Sequence, residues 1–262
     1  KEDVELVREQ LGLNKPLPQQ YISYVTGLVK GDLGTSLRTK RPVLTEVQGR
    51  YMNTVQLTLL SLTWSVIAGV LIGVWSGRNR SKWQDYTGMT VAVSGISMPS
   101  FWIGFMLIMV FAVKYRLLPT TGAGSFKNLI LPSITLGVSI AAIIARFTRS
   151  SVIEVLKEDY VRTARAKGLR EKTVIWKHVF RNCMISVVTV VGLQFGFLLG
   201  GSVVTETVFA FPGLGSLLIE SVNYRDYPAI QSLILIFSLH FVLINLVVDV
   251  LYAVLNPEIQ LS

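Results

Sequence analysis

Residues Arg146–Arg181 read RFTRSSVIEVLKEDYVRTARAKGLREKTVIWKHVFR, and this stretch decides the fold class of the 262-residue chain. It holds ten Lys/Arg and four Asp/Glu, a net charge of +6, whereas charged residues make up only 16% of the whole chain. The sequence on both sides of it is almost purely apolar. Lys and Arg concentrate in the cytoplasmic loops of membrane proteins, so a basic segment of this size indicates which side of a membrane faces the cytoplasm.

Uncharged runs flank the basic segment, and each is about 18 residues or longer, enough for a helix to cross the roughly 30 Å hydrocarbon core of a bilayer. The runs are Tyr51–Gly77, Tyr86–Val113, Asn128–Ala145, Asn182–Thr205 and Tyr227–Val248. A backbone in lipid has to satisfy its own hydrogen bonds, which a helix does. We therefore predict an all-α integral membrane protein with five transmembrane helices, rather than a soluble domain that buries five such helices.

The basic segment also orients the chain. With residues 146–181 in the cytoplasm, alternation puts Gly77–Asp85 (net charge +2) inside and Thr205–Asp226 (net charge −2) outside, as the charge bias requires. Lys114–Lys127 (net charge +3) falls outside against that bias, and the larger segment outweighs it. The net charge of +9 thus follows from membrane topology and gives no reason to expect nucleic acid as a partner.

This topology divides the chain into an extracytoplasmic N-terminal region, residues 1–50, and a transmembrane domain, residues 51–262. The second contains the cytoplasmic loop 146–181 and an extracytoplasmic loop 205–228, and it ends in a cytoplasmic tail. Five spans behind an external N-terminus are unusual, and the chain begins with Lys1 rather than Met. We therefore expect an upstream segment with a further spanning helix.

Glycines recur every four positions on two of the runs, which places them on one helix face where another backbone can approach closely. They are Gly69, Gly73, Gly77, Gly192, Gly196 and Gly200. Helix packing is the simplest interpretation of both sets, and a flexible or pore-facing point at Gly200-Gly201 is the alternative. Pro99, in the motif SGISMPSFW, either interrupts the second run or marks its entry.

The sequence has no motif for chemistry of its own. It lacks a G-x-x-x-x-G-K-[ST] phosphate loop, H-E-x-x-H and G-x-S-x-G, and His178 and His240 are too scattered for a metal cluster. We expect no catalytic residue, metal site or cofactor in this chain. Energy for transport against a gradient would come either from ions acting through an intramembrane group such as Asp249, or from a partner that hydrolyses ATP.

Within the basic segment, the pattern predicts a short capped helix, with acids at its front, bases near its end and a glycine just after it. These markers are Glu158, Asp159, Arg165, Lys167 and Gly168. Tyr160 and Ala164 fall on one face of this helix, which leads to the glycine. An ordinary solvated loop, or one held on anionic lipid, is the alternative that the pattern alone leaves open.

The same segment resembles a known family. EDYVRTARAKGL, followed after five residues by IWKHVFRN, is similar to the EAA loop of bacterial ABC importer permeases of the peptide/nickel/glutathione type. Motifs that resemble the same family, in chain order, are GDLGTSL (31–37), RPV (41–43), GISMPSFW (95–102), ILPSITLG (130–137), ARFTRSS (145–151), GGSVVTETVFAFPGLG (200–215), RDYP (225–228) and NLVVDVLYAVLNPEI (245–259). Together they cover essentially the whole chain and favour the first of two permease subunits, of dipeptide or glutathione type.

The resemblance implies a type I ABC importer permease fold, with five transmembrane helices present and the family's first one missing from this sequence. It implies a multi-pass protein of the bacterial inner membrane that pairs with a homologous second permease to form the pathway. Two ABC ATPase subunits, which bind ATP and Mg, and an extracytoplasmic substrate-binding protein complete the expected assembly in the lipid bilayer. The substrate, a di- or oligopeptide, glutathione or a nickel chelate, is left open.

The resemblance also assigns the short helix to coupling with the ATPase. The residues expected in this coupling loop are Glu158, Asp159, Tyr160, Ala164, Arg165, Ala166, Lys167 and Gly168. Of these, we expect Tyr160, Ala164 and Gly168 in the contact, and Arg165 or Lys167 against acidic groups of the ATPase.

Further candidate residues concern the pathway and the outer surface. The pathway candidates are Ser97, Met98, Gln194, Gly200 and Gly201, and the candidates for extracytoplasmic contacts are Glu206, Phe209, Phe211, Pro212 and Gly213. We expect the second set to form a hairpin that meets the binding protein or lines the outer vestibule, although an ordered cap over the helix ends fits equally well. Helical spacing of Val4, Val7 and Leu11 predicts an extracytoplasmic helix before the first span.

Two functions from other classes remain open at this point. A gradient-driven secondary transporter or channel would depend on Asp249. In a purely structural role this residue would instead be hydrogen-bonded to a neighbouring helix or paired with a base such as Arg146 or Arg149. A membrane scaffold whose basic loop binds lipid is the second.

Overall fold

The computed structural model describes residues 14–255, including the side chains in that range except those of residues 185, 186, 199, 201 and 251–255. Its helices are α1 (Leu17–Val29), α2 (Val43–Arg78), α3 (Trp83–Ser97), α4 (Ser100–Leu107), α5 (Phe126–Val155), α6 (Asp159–Ala166), α7 (Glu171–Thr173), α8 (Phe180–Val208), α9 (Leu214–Asn223) and α10 (Tyr227–Leu255). π-Helical turns extend α4 through Ile108–Lys114 and join α7 to α8 through Val174–Val179. The predicted helix through Val4, Val7 and Leu11 and the predicted cytoplasmic tail lie outside the described residues.

Three helices are each long and apolar enough to cross a bilayer: α2, α5 and the part of α10 from Tyr227 to Val250. Two bent pairs are long enough only when taken together. They are α3 with Ser100–Lys114, bent by 101°, and Glu171–Met184 with Val187–Leu198, bent by 49°. Counting each pair as one span gives up to five spans, the number that the uncharged runs predict.

The second predicted span is broken in its middle, which confirms that Pro99 interrupts it. Met98 has an extended backbone (φ −92°, ψ 131°), because a following proline disfavours the helical region. Pro99 also has no N–H to donate to the preceding turn, so α4 starts at Ser100 in a new direction. The candidate residues Ser97 and Met98 therefore lie at a helix end rather than inside a continuous span.

The third span continues well into the basic segment, since α5 ends only at Val155. Its last turns keep one apolar face: Thr148 and Val152 are buried, while Arg146 and Glu154 are exposed. The beginning of the predicted cytoplasmic loop is thus a helical stalk. Charged residues on the exposed side of a helix do not end the helix. The change from apolar to basic sequence at Arg146 therefore does not coincide with the end of α5.

The centre of the fold is the contact between α2 and α5, where each glycine of the α2 stripe faces the α5 backbone. The pairs, with the distance from an added Cβ to the facing carbonyl oxygen, are Gly69–Ala141 (2.7 Å), Gly73–Ala145 (2.6 Å) and Gly77–Arg149 (3.1 Å). The Ser65 hydroxyl continues the series by donating to the Gly137 carbonyl at 2.8 Å. All four pairs share a sequence offset of 72 residues, so the two helices run parallel in one register. Helix packing is confirmed as the role of this stripe.

The glycines of α8 divide into two kinds. A Cβ added at Gly192 would overlap Val248 of α10, and one added at Gly196 would lie 3.3 Å from the Phe241 ring. Nothing lies within 4 Å of a Cβ added at Gly200. Packing against α10 therefore explains the first two glycines, whereas a flexible or pore-facing role for Gly200 stays a prediction.

Substituting Gly73 by alanine tests the contact between α2 and α5. The new methyl group would lie 2.5 Å from Cβ of Thr148, and overpacking of this kind costs about 1–3 kcal/mol. We expect Gly73→Ala to lower the unfolding temperature of the detergent-solubilised protein. Gly49→Ala on the same helix is the matched control, because nothing lies within 4 Å of its added Cβ. Equal unfolding temperatures of the two variants would contradict the close approach.

Candidate functional site

The predicted coupling helix is present as α6. It follows Glu158, whose backbone is extended (φ −64°, ψ 144°), and it has Asp159 in its first turn and Arg165 in its last. An acid at the N-terminus and a base at the C-terminus both interact favourably with the helix dipole. The helix therefore has the boundaries that the charge pattern predicts.

Gly168 ends this helix in the left-handed region, at φ +77°. Its N–H donates to the Arg165 carbonyl at 2.9 Å, and the Leu169 N–H donates to the Ala164 carbonyl at 3.4 Å, which is the Schellman arrangement. Nothing lies within 4 Å of a Cβ added at Gly168. The backbone conformation rather than a lack of space therefore calls for glycine, because other L-residues adopt it at a cost of roughly 1–2 kcal/mol.

One face of α6 is fixed to the body of the protein. Val161 is fully buried and Ala164 is 6% exposed, and both belong to one buried cluster with Val174 and Val179 of the π-helical turn. Residues three apart share a helix face, so this apolar pair attaches α6 to the segment that follows it. Ala164 accordingly packs inward and does not lie on the outer surface where we expected it, whereas Tyr160 remains 42% exposed.

Polar contacts add to this attachment. Nη2 and Nε of Arg165 donate to the Glu171 carboxylate at 2.7 and 3.2 Å, so this base is already paired within the chain. Nδ2 of Asn182 donates to the Tyr160 hydroxyl at 2.7 Å and links α6 to α8. Lys167 is exposed, and none of the ion pairs found within residues 14–255 includes it. The other exposed members of the predicted coupling loop are Glu158, Asp159, Arg165, Ala166 and Gly168.

At the opposite end of the spans, Glu206 is fully buried. Its Oε1 accepts a hydrogen bond from the Thr54 hydroxyl at 2.8 Å, and its Oε2 accepts one from the Ser216 backbone N–H at 2.9 Å. The carboxylate therefore caps the N-terminus of α9, where negative charge is favoured. The Thr54 hydroxyl also accepts from the Leu214 N–H at 2.8 Å, so α2, α8 and α9 meet at this one group.

The residues next to Glu206 form a core instead of an exposed hairpin. Phe209 and Phe211 are each 1% exposed, Pro212 is half-buried and Gly213 is buried. A Cβ added at Gly213 would overlap the Glu206 carboxylate. The expectation that this set is exposed to a partner is wrong, because both aromatic rings belong to the buried cluster that also holds Leu57, Leu131 and Leu198 of the spans. The structure instead has the alternative, an ordered cap over the helix ends. Residues 206–226 are called the outer cap below.

The N-terminal region is clamped onto the outer cap through Asp226. The Ser36 hydroxyl and the N–H groups of Leu37 (3.0 Å) and Arg38 (3.4 Å) donate to its carboxylate. Burial by itself raises the pKa of Asp226, but these hydrogen bonds outweigh it and hold the pKa below its usual range. Further ion pairs at the cap are Arg38–Glu220 and Arg50–Glu220, both at 3.1 Å. Two motifs far apart in sequence, GDLGTSL and RDYP, are thus brought into contact.

The pathway candidates lie on two separate elements. Ser97 and Met98 are exposed at the break between α3 and α4, and Ser97 donates its hydroxyl to the Val93 carbonyl at 3.0 Å. Gln194 is half-buried and Gly200 exposed on α8. Gly201 lies on the same helix, at a position whose burial the structure does not describe. The role of all five residues in the pathway stays a prediction.

Of the structural partners considered for Asp249, Arg149 is ruled out, because it binds a different carboxylate. Its Nε and Nη2 donate to Asp85 at 2.5 and 2.7 Å, and Asp85 also accepts from the Ser81 N–H at 3.0 Å. Asp85 is 3% exposed, whereas Asp249 is exposed on α10. Sequence reasoning missed Asp85. The available signal was its position, because a single acid directly before an uncharged run lies at the end of a predicted span, where a carboxylate needs a partner.

Comparison with known proteins decides the family. Residues 69–261 match the family described as binding-protein-dependent transport system inner membrane component. The chain belongs to this family. It is 55% identical to the glutathione transport system permease protein GsiC of Pectobacterium atrosepticum and 56% identical to that of Escherichia coli strain K12. Each match covers 98% of this chain and 84% of the relative.

Solved structures of ABC transporters share the fold of this permease. An inward-facing form of the MetNI methionine ABC transporter aligns with a TM-score of 0.71 at 17% identity, over 81% of this chain and 97% of that one. An amino acid ABC transporter with histidines aligns with a TM-score of 0.63 at 16% identity, over 79% and 92%. The resemblance drawn from the EAA-like segment and the other motifs is therefore confirmed, and so is the type I permease fold.

Family membership assigns the permease to membrane transport rather than to catalysis. Within residues 14–255, no group of three or more His, Cys, Asp or Glu side chains is arranged to hold a metal ion. The alternative of a gradient-driven transporter built on Asp249 finds no support in the relatives or in the position of that residue.

Replacing Glu206 tests whether its carboxylate holds the outer cap together. Glu206→Ala leaves the Ser216 N–H without its acceptor and opens a cavity, so we expect a loss of roughly 2–4 kcal/mol. The readouts are the unfolding temperature in detergent and the rate of proteolysis within the cap. Glu154→Ala, at an exposed acid, is the control. A Glu206→Ala protein as stable and protease-resistant as this control would refute the assignment.

Proposed function

We propose that the permease pairs with a homologous second permease and forms the membrane pathway of an ATP-driven importer of small peptides, with glutathione as the first candidate. The observation that carries the proposal is the 55–56% identity to glutathione permeases over 98% of the chain. Identity at this level over nearly the whole chain favours a shared substrate class. Other di- and oligopeptides and a nickel chelate, which the family resemblance also allows, become outcomes of the test.

The energy for uptake comes from two ABC ATPase subunits, which bind ATP and Mg and contact the outer surface of α6. Support comes from the side chains around that helix. Tyr160, Leu169 and Trp176 are 42%, 41% and 47% exposed, and Lys167 lies beside them without an ion-pair partner in the described part of the chain. Exposed aromatic residues bordered by charge are typical of protein–protein contacts.

A displacement of α6 by the ATPase can reach the spans, because the helix is attached on several sides. Val161 fixes its inner face to the π-helical turn before α8. The hydrogen bond between Asn182 and Tyr160 connects its outer face to α8 as well. The ion pair of Arg165 with Glu171 closes the turn between α6 and α7. We infer that α6, the stalk of α5 and the start of α8 move together.

An extracytoplasmic binding protein delivers the substrate to the outer cap in this proposal. The buried phenylalanines leave another surface for the contact, formed by Val222, Tyr224 and Tyr227, which are 50%, 64% and 61% exposed. The Arg38 guanidinium lies 5.0 Å from the centre of the Tyr224 ring and restricts its orientation. A rigid aromatic side chain on an ordered cap suits repeated docking of a partner.

Substitutions of Gly168 test the coupling in the reconstituted transporter, with its ATPases and binding protein. Gly168→Val forces a β-branched residue into the left-handed region, which distorts the end of α6. We expect ATP-driven glutathione uptake and substrate-stimulated ATPase activity to fall on the order of tenfold, since the strain is roughly 1–2 kcal/mol. Gly168→Asn is the matched control, because Asn tolerates this region far better.

The outcomes separate coupling from substrate. Equal uptake by the Val and Asn variants would contradict the role of α6. A wild-type transporter that takes up dipeptides or a nickel chelate but no glutathione would overturn the substrate and leave the coupling intact.

A further inference from the structure

Two cavities meet at Arg149, at the end of the spans that the charge distribution predicts to be cytoplasmic. The larger, about 520 Å³, is a groove along α3 lined by Asp85, Tyr86, Met89, Thr90, Val93, Ser94, Ser97 and Arg149. The smaller, about 250 Å³, is lined by Arg80, Arg149, Ser150, Ile153, Glu154 and Lys157. Because Arg149 lines both, a single elongated molecule could occupy the pair.

The smaller cavity carries an excess of positive charge. Arg80 and Lys157 are exposed, and neither takes part in an ion pair among the described residues. Arg149 is held in place by Asp85 through Nε and Nη2, which leaves its Nη1 outside that pair. Glu154 is the acid that lines this cavity, so two unpaired bases face one carboxylate.

Aromatic side chains place both cavities at the level of a membrane surface. Trp75, Trp83 and Tyr86 are 43%, 68% and 67% exposed, and the two indole rings pack edge-to-face with centroids 6.2 Å apart. Trp and Tyr are enriched at the boundary between hydrocarbon and headgroups. The basic cavity therefore lies where lipid headgroups lie.

The groove on the other side of Arg149 suits an acyl chain. Met89 and Val93 contribute apolar side chains to it. The hydroxyls of Ser94 and Ser97 donate to carbonyls of their own helix, at 2.8 and 3.0 Å. Because these hydroxyls are already hydrogen-bonded, the groove has few polar groups in need of a partner. A surface that binds a polar solute would be expected to offer more of them.

We propose that this pair of cavities binds one anionic phospholipid of the cytoplasmic leaflet. Its phosphate lies on Arg80, Lys157 and the free Nη1 of Arg149, and an acyl chain follows α3. Basic pockets between membrane helices on this side are suited to anionic headgroups. The lipid would connect the loop before α3 to the stalk of α5, which carries α6. The proposal does not depend on the transported substrate.

Native mass spectrometry of the assembled transporter, purified in mild detergent with phosphatidylglycerol added, tests the site. Arg80→Gln combined with Lys157→Gln should reduce bound phosphatidylglycerol on the order of tenfold or more, because each base near a membrane surface contributes appreciably to the attraction. Arg146→Gln combined with Lys172→Gln is the control, since it removes the same charge from exposed positions outside both cavities.

Each outcome decides the proposal. The site is supported if the control variant retains the lipid, the Arg80→Gln/Lys157→Gln variant loses it, and both variants unfold at the same temperature in neutral lipid. Equal loss in both would show general attraction between basic residues and the membrane, and equal retention would exclude the site. Displacement of the lipid by inorganic phosphate alone would show a phosphate site without a chain-binding groove, and displacement by glutathione would show a transport site; either would overturn the proposal.

Discussion

The parallel contact between α2 and α5 is the constraint on which the rest of the structure depends. Glycine in α2 faces a backbone carbonyl of α5 at Gly69, Gly73 and Gly77, so the two backbones approach closely and α2 contributes no side chain at these three positions. Lipid provides no hydrophobic force that would drive helices together, and close packing of small residues therefore contributes much of the attraction. A repeat of four residues on both helices also fixes their register, because a shift by one position would place larger side chains at the contact.

This contact connects the two ends of the permease. The outer end of α2 carries Thr54, which joins Glu206 and Leu214 in the outer cap. The inner end of α5 continues as the stalk that leads to α6. We expect a displacement of the stalk to be transmitted along this pair of helices to the cap. Since a protein interior deforms little, such a pair shifts as a body rather than absorbing the movement.

The sequence predicts those features of the fold that depend on local chemistry. Uncharged runs locate the spans, Pro99 breaks the second one, and Gly168 ends α6, because each acts on its own stretch of backbone. Contacts between segments that lie far apart in the sequence could not be predicted from it. Asp85 binds Arg149, and Glu206 is buried under α9, whereas charge alone suggested solvent for both. The glycine-rich, aromatic sequence around Phe209 is compatible with an exposed hairpin and with a buried core. Only tertiary packing decides between the two.

The measurement that tests the central claim most directly is photo-crosslinking from the outer surface of α6. A photoreactive phenylalanine analogue replaces Tyr160, which is 42% exposed, or Phe147 on the stalk of α5, which is 47% exposed, in the assembled transporter. The account predicts that position 160 crosslinks to an ATPase subunit and that the yield changes when ATP is added, while position 147 gives no such product. Absence of an ATPase crosslink at position 160, or equal yields at both positions, would contradict it.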